Sequence, residues 1–207
     1  YGANPHDCAL IEDGQVMVIT NGGGNAASED TPCVSYVDVR TRRLLHKSDM
    51  PDRRFNTGHL FMLSGRESVV VSAPRLGLGV EHPGAISRQK AGQNLSVIDK
   101  PQAVTEALLG EALSVLALPA QDLLMVTHPT PGLVTLWRLG RGEHVKSLAL
   151  PHARGLVQSQ DGQTVWISFG TAASLCALSL RTFELVPEQV MVNTLLAGSH
   201  LYNHGLM

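Results

Sequence analysis

The sequence lacks the features that mark several large classes of protein. No run of apolar residues approaches the roughly 18 needed to cross a bilayer, so no membrane-spanning helix is predicted. The net charge is −2 and no polybasic segment occurs, which argues against nucleic acid or an anionic membrane as a partner. The three cysteines form no Cys-x-x-Cys pair and lie in β-type runs, so we expect small buried side chains without a disulfide framework.

Familiar catalytic motifs are also missing. No Gly-x-Ser-x-Gly elbow is present, and no carboxylate pair stands out as the acid and base of a glycosidase. The glycine-rich stretch 21–25 could present backbone amides to an anion. Because no helix signal and no P-loop Lys follow it, the stretch does not predict a nucleotide site.

What the sequence does contain is a pattern that recurs about every 40–55 residues. Its units start near residues 6, 59, 113, 155 and 200, and most contain four short β-type runs separated by tight turns. The strongest internal match is Asp13-Gly14 before one apolar strand and Asp161-Gly162 before another, a hairpin signal because Gly accepts a positive φ. Little helical periodicity is visible.

Repeats of this kind predict an all-β fold, a β-propeller of four-stranded blades. We expect residues 1–207 to form a single propeller domain or part of one, with four to five blades visible and no closed seven-bladed ring. In the second unit we place strands at 58–63, 69–71 and 95–99. Between them we predict a long loop over 75–94, which would act as a partner-binding arm, a lid or a flexible segment.

Several short segments carry a family resemblance. They are Gly2–Asp7, Thr20–Gly23, Pro32–Asp38, Gly58–Leu60 and Tyr202–His204. In this order, and over nearly the whole chain, they resemble a bacterial and mostly periplasmic family of seven-bladed-propeller-like proteins, the domain of unknown function 1513. Asp7 stands where that family usually has Glu.

The resemblance implies a periplasmic location and a role linked to iron uptake or respiration, beside imelysin-type proteins. It also implies that about 100–150 N-terminal residues, or two to three blades, are absent here. The chain starts at Tyr1 without Met or a signal peptide, which we interpret as a mature or truncated start. An open ring would expose apolar end blades and favour homo-oligomers.

The nine histidines are placed unevenly, with several at or just before unit starts. Equivalent positions on successive blades surround the propeller axis, so these imidazoles could bind a transition metal such as copper, zinc or iron. Alternatively, each histidine bonds backbone groups where its blade begins. The candidate ligand-binding residues are His6, Asp7, Asn21, His59, His128, His152, His200 and His204.

Three functions remain open from the sequence. The first is a binding or scaffold protein without catalysis, whose small-molecule ligand or protein partner lies at the axial mouth. The second is a metal-dependent, redox-associated protein that uses the axial histidines. The third is a propeller-type hydrolase or lactonase, which would need carboxylates clustered around a cation, whereas the acidic residues fall mainly in turns.

Overall fold

The computed structural model describes residues 1–194 and 198–202, and it confirms the predicted all-β fold. Four antiparallel sheets of four strands follow one another along the chain, and in each sheet neighbouring strands are consecutive in sequence. The first blade is β1 to β4 (Pro5–Ile11, Val16–Asn21, Cys33–Asp38, Leu44–Asp49) and the second is β5 to β8 (Leu60–Met62, Ser68–Ser72, Ala85–Gln89, Ser96–Val97). The third is β9 to β12 (Val115–Leu118, Leu123–His128, Leu133–Arg138, His144–Ala149) and the fourth is β13 to β16 (Leu156–Gln158, Thr164–Phe169, Ser174–Ser179, Leu185–Met191).

Helical structure is confined to short segments of the described chain. The α-helix α1 covers Gln102–Thr105, and two 3₁₀ turns cover Ser64–Arg66 and Pro119–Gln121. No helix among residues 1–194 and 198–202 is long and apolar enough to cross a membrane.

The tight turns form for the reason that the sequence suggests. Between β1 and β2, Gly14 adopts a φ of +80° and donates its backbone N–H to the carbonyl of Ile11 at 3.1 Å. This turn sets the register in which Ile11 pairs with Val16. Gly162 takes a φ of +69° in the matching turn before Val165, a conformation that favours glycine at both positions.

The core lies between successive blades. Val18, Tyr36 and Val70 pack together between the first two blades, and Val71, Leu124 and Trp137 pack between the second and third. Met125, Leu136 and Ile167 pack between the third and fourth. Each fully buried side chain of this size contributes about 1.5–3 kcal/mol, so stacking of blades, and not any single sheet, supplies the stability.

The second blade corrects one prediction. The segment predicted as a loop over 75–94 contains β7, the third strand of that blade, and the strand predicted at 95–99 is the short fourth strand β8. Polar residues within β7 and Gly and Pro residues near it weaken the strand signal in the sequence. Four of the five residues of β7 are nevertheless buried. Arg75 is also buried (1% exposed), and its guanidinium donates to the carbonyls of Gly23, Gly24 and Asp30.

The outer faces of the first and fourth blades carry rows of apolar side chains. In the first blade, Leu10 pairs with Met17, Met17 with Val37, and Val37 with Leu44, so the row crosses all four strands. The corresponding row of the fourth blade is Val157, Trp166, Ala177 and Val186. These side chains belong to none of the three clusters between blades, and Leu10 is 60% exposed.

Candidate axial site

The first strands of the four blades lie side by side in the order β1, β5, β9 and β13. They enclose a cavity of about 440 Å³ near the propeller axis. The segment 200–202 forms part of its wall, although it lies far along the chain from the first two blades. Residues from five separate places in the sequence therefore meet at one cavity.

Three histidines come together here: His59 and His200 line the cavity, and His6 lies against His59. The rings of His6 and His59 lie edge to face with their centroids 4.6 Å apart, and the rings of His59 and His200 are 4.3 Å apart in a similar arrangement. His6 is exposed, whereas His59 and His200 are half-buried. The unit-start histidines of the first two blades and of the segment near 200 thus form one cluster.

Asp7 orients the middle ring of the cluster. One carboxylate oxygen accepts the backbone N–H of Leu60 at 3.1 Å and lies 3.4 Å from His59 Nδ1, and the other accepts the N–H of Cys8 at 2.8 Å. Burial pushes the pKa of Asp7 up, but these hydrogen bonds outweigh it and hold the pKa below its usual value. Asp7 therefore stays ionised, with both oxygens engaged.

His200 is held by the third blade. Its Nδ1 lies 3.2 Å from the hydroxyl of Ser114, the residue just before β9. Burial, then the neighbouring positive charges of His59, His6 and Arg154, lower the pKa of His200, and Asp7 opposes them. The His200 imidazole is therefore less readily protonated than an exposed one.

In three of the four blades, a hydroxyl near the end of the second strand positions the start of the same blade. Thr20 accepts the N–H of Asp7 at 2.9 Å, Thr127 accepts that of Ser114 at 3.0 Å, and Ser168 accepts that of Gly155 at 2.8 Å. Sequence reasoning missed this arrangement. The signal was present as a Thr or Ser at the fifth position of the second strand in all four units, although the Ser72 hydroxyl of the second blade has no partner among the described residues.

The fourth blade positions the segment that carries His200. Ser168 donates to the carbonyl of Gly198 at 2.8 Å, just as Thr127 donates to the carbonyl of Arg154 at 2.6 Å one blade earlier. Arg154 bonds Ser199 at 3.1 Å. A Cβ on Gly155 would lie 2.8 Å from the backbone nitrogen of Leu201, so glycine there lets this segment approach the axis.

The structure places the other predicted site residues elsewhere. Asn21 is buried and bonds the backbone and Ser35 within the first blade. His128 is fully buried, and this burial lowers its pKa from 6.5 to about 3. His152 is exposed and lines a separate cavity of about 330 Å³ with Arg154 and Ser168. His204 lies outside the described residues.

The described side chains offer no ready metal site. Among residues 1–194 and 198–202, no group of three or more His, Cys, Asp or Glu side chains could hold a metal ion. Although three imidazoles are close at the axis, their rings contact one another edge to face. The sequence also spaces His200 and His204 as His-x-x-x-His, but the structure does not describe the second of these residues.

Four-stranded blades stacked around an axial cavity define a protein of the β-propeller class. Residues 1–201 match the model of the family described as protein of unknown function (DUF1513), and the chain belongs to that family. No curated protein matches the sequence.

Several solved structures share the fold. A hypothetical selenium-binding protein from Sulfolobus tokodaii superposes with a TM-score of 0.67 over 91% of this chain, at 10% identity. A protein of unknown function from Bacteroides caccae gives 0.59 over 96% at 12% identity, and a functionally unknown protein from Desulfotomaculum acetoxidans gives 0.56 over 88% at 11% identity. This chain spans 55%, 64% and 54% of their respective lengths. At such identities the likeness concerns the fold alone.

Proposed function

We propose that this chain is a non-catalytic binding protein that holds a small polar ligand in its axial cavity. The observation that carries the proposal is that His59 and His200 line a cavity of about 440 Å³ with their rings in contact, while His6 packs against His59. Cavities of a few hundred Å³ with a few convergent polar groups are the usual form of small-molecule sites. The imidazoles can donate or accept hydrogen bonds, so they can fix the orientation of a polar ligand.

The way the polar groups are used supports a role without catalysis. Asp7 has both oxygens engaged and serves to orient His59. It is therefore poorly placed to accept a proton from a substrate. These contacts fix the positions of the ring nitrogens, an arrangement that favours binding of a ligand.

A small-molecule screen with a matched pair of variants tests the proposal. Ring signals of His59 and His200 would be followed by NMR while organic acids, sugars, amino acids and amines are added. His59→Phe keeps an aromatic ring in contact with its neighbours but removes both nitrogens. His82→Phe is the control, because His82 is a half-exposed histidine (side chain 52% exposed) beside Glu81. We expect a compound class whose binding is lost in the first variant and kept in the second; if every class binds both variants equally, the proposal is wrong.

One observation favours a second candidate, a propeller-type hydrolase. Ser114 Oγ and His200 Nδ1 are 3.2 Å apart, which is the spacing of a nucleophile and its base. However, Ser114 is only 6% exposed, and Asp7 lies beside His59 instead of His200. Ser114→Ala decides between the two: it would abolish ester or lactone hydrolysis by a serine enzyme and leave ligand binding by His59 in place.

We further propose a periplasmic location and a link to iron uptake. Both rest on the family resemblance. Fractionation of cells that express the full-length gene product tests the location, and its abundance under iron limitation tests the link. Metal analysis of protein purified without an affinity tag separates simple binding from the metal-dependent alternative, because a stoichiometric, chelator-sensitive metal would support the latter.

A further inference from the structure

A groove between the second and third blades lies on the side of the molecule away from the axis. It has a volume of about 920 Å³ and shares no lining residue with the axial cavity. One side is formed by the end of β7, by β8 and by the segment that follows β8 as far as Gln102. The other side is the turn 139–143 between β11 and β12. Two blades therefore build this groove together, and the proposed axial function does not use it.

The two sides of the groove are held in a fixed position. The guanidinium of Arg88 reaches from β7 to the opposite turn and donates to the carbonyl of Gly140 at 2.9 Å. Gly140 donates its own N–H to the carboxylate of Asp122 at 2.6 Å. A Cβ on Gly142 would lie 3.3 Å from Cδ1 of Ile98, so glycine there lets the turn approach the end of β8. The groove is therefore a feature of how these two blades pack.

Most of the charged side chains along the groove are basic. Four cationic side chains and two carboxylates line it: Arg88, Lys90, Lys100, Arg141, Asp99 and Glu143. Glu143 lies 3.7 Å from Arg141, and both side chains are more than half exposed. Lys90 and Lys100 are exposed, and neither has a carboxylate within ion-pair distance among the described residues. Two lysine ammonium groups are thus open to a negatively charged partner.

The basic excess belongs to this groove and not to the chain as a whole. The chain has 16 Lys and Arg against 18 Asp and Glu, a net charge of −2. On the other side of the segment 97–102 lies a second cavity of about 600 Å³. Three carboxylates and two cationic side chains line that cavity: Asp52, Asp99, Glu106, Arg54 and Lys100. An acidic partner would therefore be attracted to the first side of the segment and not to the second.

An unpaired strand edge runs along the groove. The strand β8 is the last of its sheet and contains only Ser96–Val97. The N–H of Ile98 donates inward to the carbonyl of Ile86 at 2.8 Å. Because the direction of the backbone groups alternates along a strand, the N–H and C=O of Val97 point away from β7. Ile98 and Pro101 add apolar surface beside this edge.

We propose that this groove docks an extended acidic segment of a partner protein, which lies along β8 with carboxylates facing Lys90, Lys100 and Arg141. Hydrogen bonds to the strand edge hold the backbone of the segment, and its apolar side chains pack on Ile98 and Pro101. The cationic side chains select a segment of negative charge. Four cations confined to one groove of an acidic chain suit a short segment better than a nucleic acid or an anionic membrane.

Labelled peptides test this inference by fluorescence anisotropy. The probe is about eight residues long and alternates Glu with Val, because successive side chains of an extended segment face opposite sides. Two matched peptides carry Gln or Lys in place of every Glu. Each peptide is titrated with the intact chain at about 50 mM and about 300 mM salt. We expect the Glu peptide to bind at least about tenfold more tightly than the other two at the lower salt, and to lose about three- to tenfold at the higher salt.

Charge-reversed variants connect this binding to the groove. Lys90→Glu with Lys100→Glu should weaken binding of the Glu peptide about tenfold or more and strengthen binding of the Lys peptide. Arg40→Glu with Arg181→Glu is the matched control, because it changes the net charge equally at two exposed residues outside the groove. We expect this control to bind the Glu peptide as the wild type does.

Three results would overturn the inference. The first is that the Glu peptide does not bind, or binds no better than the Gln peptide; the lysines would then only protect the edge of β8 from pairing. The second is equal affinity of the Glu peptide for the wild type and for Lys90→Glu with Lys100→Glu. The third is that an oligothymidylate or phosphatidylserine vesicles bind at these lysines in place of the peptide, since the occupant would then not be a protein segment.

Discussion

The buried His128 makes the stability of this protein depend on pH in a defined way. His128 lies at the end of β10 with no exposed surface, and its Nε2 is 2.9 Å from the hydroxyl of Thr135. The same hydroxyl accepts the indole N–H of Trp137 at 2.7 Å. Within the described residues His128 Nδ1 has no partner, so an imidazolium there would bury an N–H without an acceptor. This burial lowers the pKa from 6.5 to about 3.

The magnitude follows from proton linkage. Below pH 6.5 the unfolded chain binds a proton at His128, whereas in the folded protein this ring is protonated only below about pH 3. The unfolded state therefore holds more protons in that window, and the free energy of unfolding falls as pH falls. At about 1.36 kcal/mol per pKa unit, lowering the pH from about 7.5 to 5 should remove about 2 kcal/mol through this group. The carboxylates with lowered pKa values add their losses mainly at more acidic pH.

Urea denaturation followed by tryptophan fluorescence measures this effect, because Trp137 is buried beside Thr135. His128→Gln should remove most of the pH dependence between about pH 7.5 and 5, whatever its effect on stability at neutral pH. His82→Gln, at a half-exposed histidine, should leave the slope as it is. As a second measurement, the NMR ring signals of His128 should not titrate above about pH 4. Equal slopes in the wild type and His128→Gln would refute the reasoning.

Three further outcomes are expected from the packing. Arg75→Lys should lower the free energy of unfolding by about 2 kcal/mol in urea titrations. The reason is that a lysine ammonium cannot replace the planar guanidinium, which donates to several carbonyls at once. Gly84→Ala should destabilise the folded protein by about 1–3 kcal/mol. The added Cβ would lie 2.4 Å from the backbone oxygen of Ser72 and 2.5 Å from that of Gly110. An unchanged melting temperature would contradict this expectation. Concentrated protein should self-associate through the apolar outer face of the first blade. Leu10→Lys should therefore raise the fraction of monomer measured by light scattering. If the wild type and Leu10→Lys have equal average masses, that face does not mediate the association.

The blade architecture could be predicted because it depends on local signals. Alternating apolar residues and Asp-Gly turns are visible within short stretches of sequence. In three of the four blades the strands lie where these signals predict them. Strand β7 was not predicted because its burial comes from neighbouring blades, between which polar residues such as Ser87 and Gln89 are buried. In the same way, nothing in the sequence near His128 or Asn21 distinguishes a buried side chain from one at the axis.

The axial cluster was predictable in part, for a geometric reason. A side chain at the start of a first strand lies next to the axis in every blade, so a histidine that recurs there in sequence is brought near its counterparts in space. The sequence could suggest that His6, His59 and His200 are neighbours, but not that Asp7 would be engaged by two backbone amides and His59. That engagement depends on Thr20 holding the backbone of Asp7 in place. The orientation of His59 therefore depends on the backbone at the start of the first blade, which no pattern of histidines in the sequence reveals.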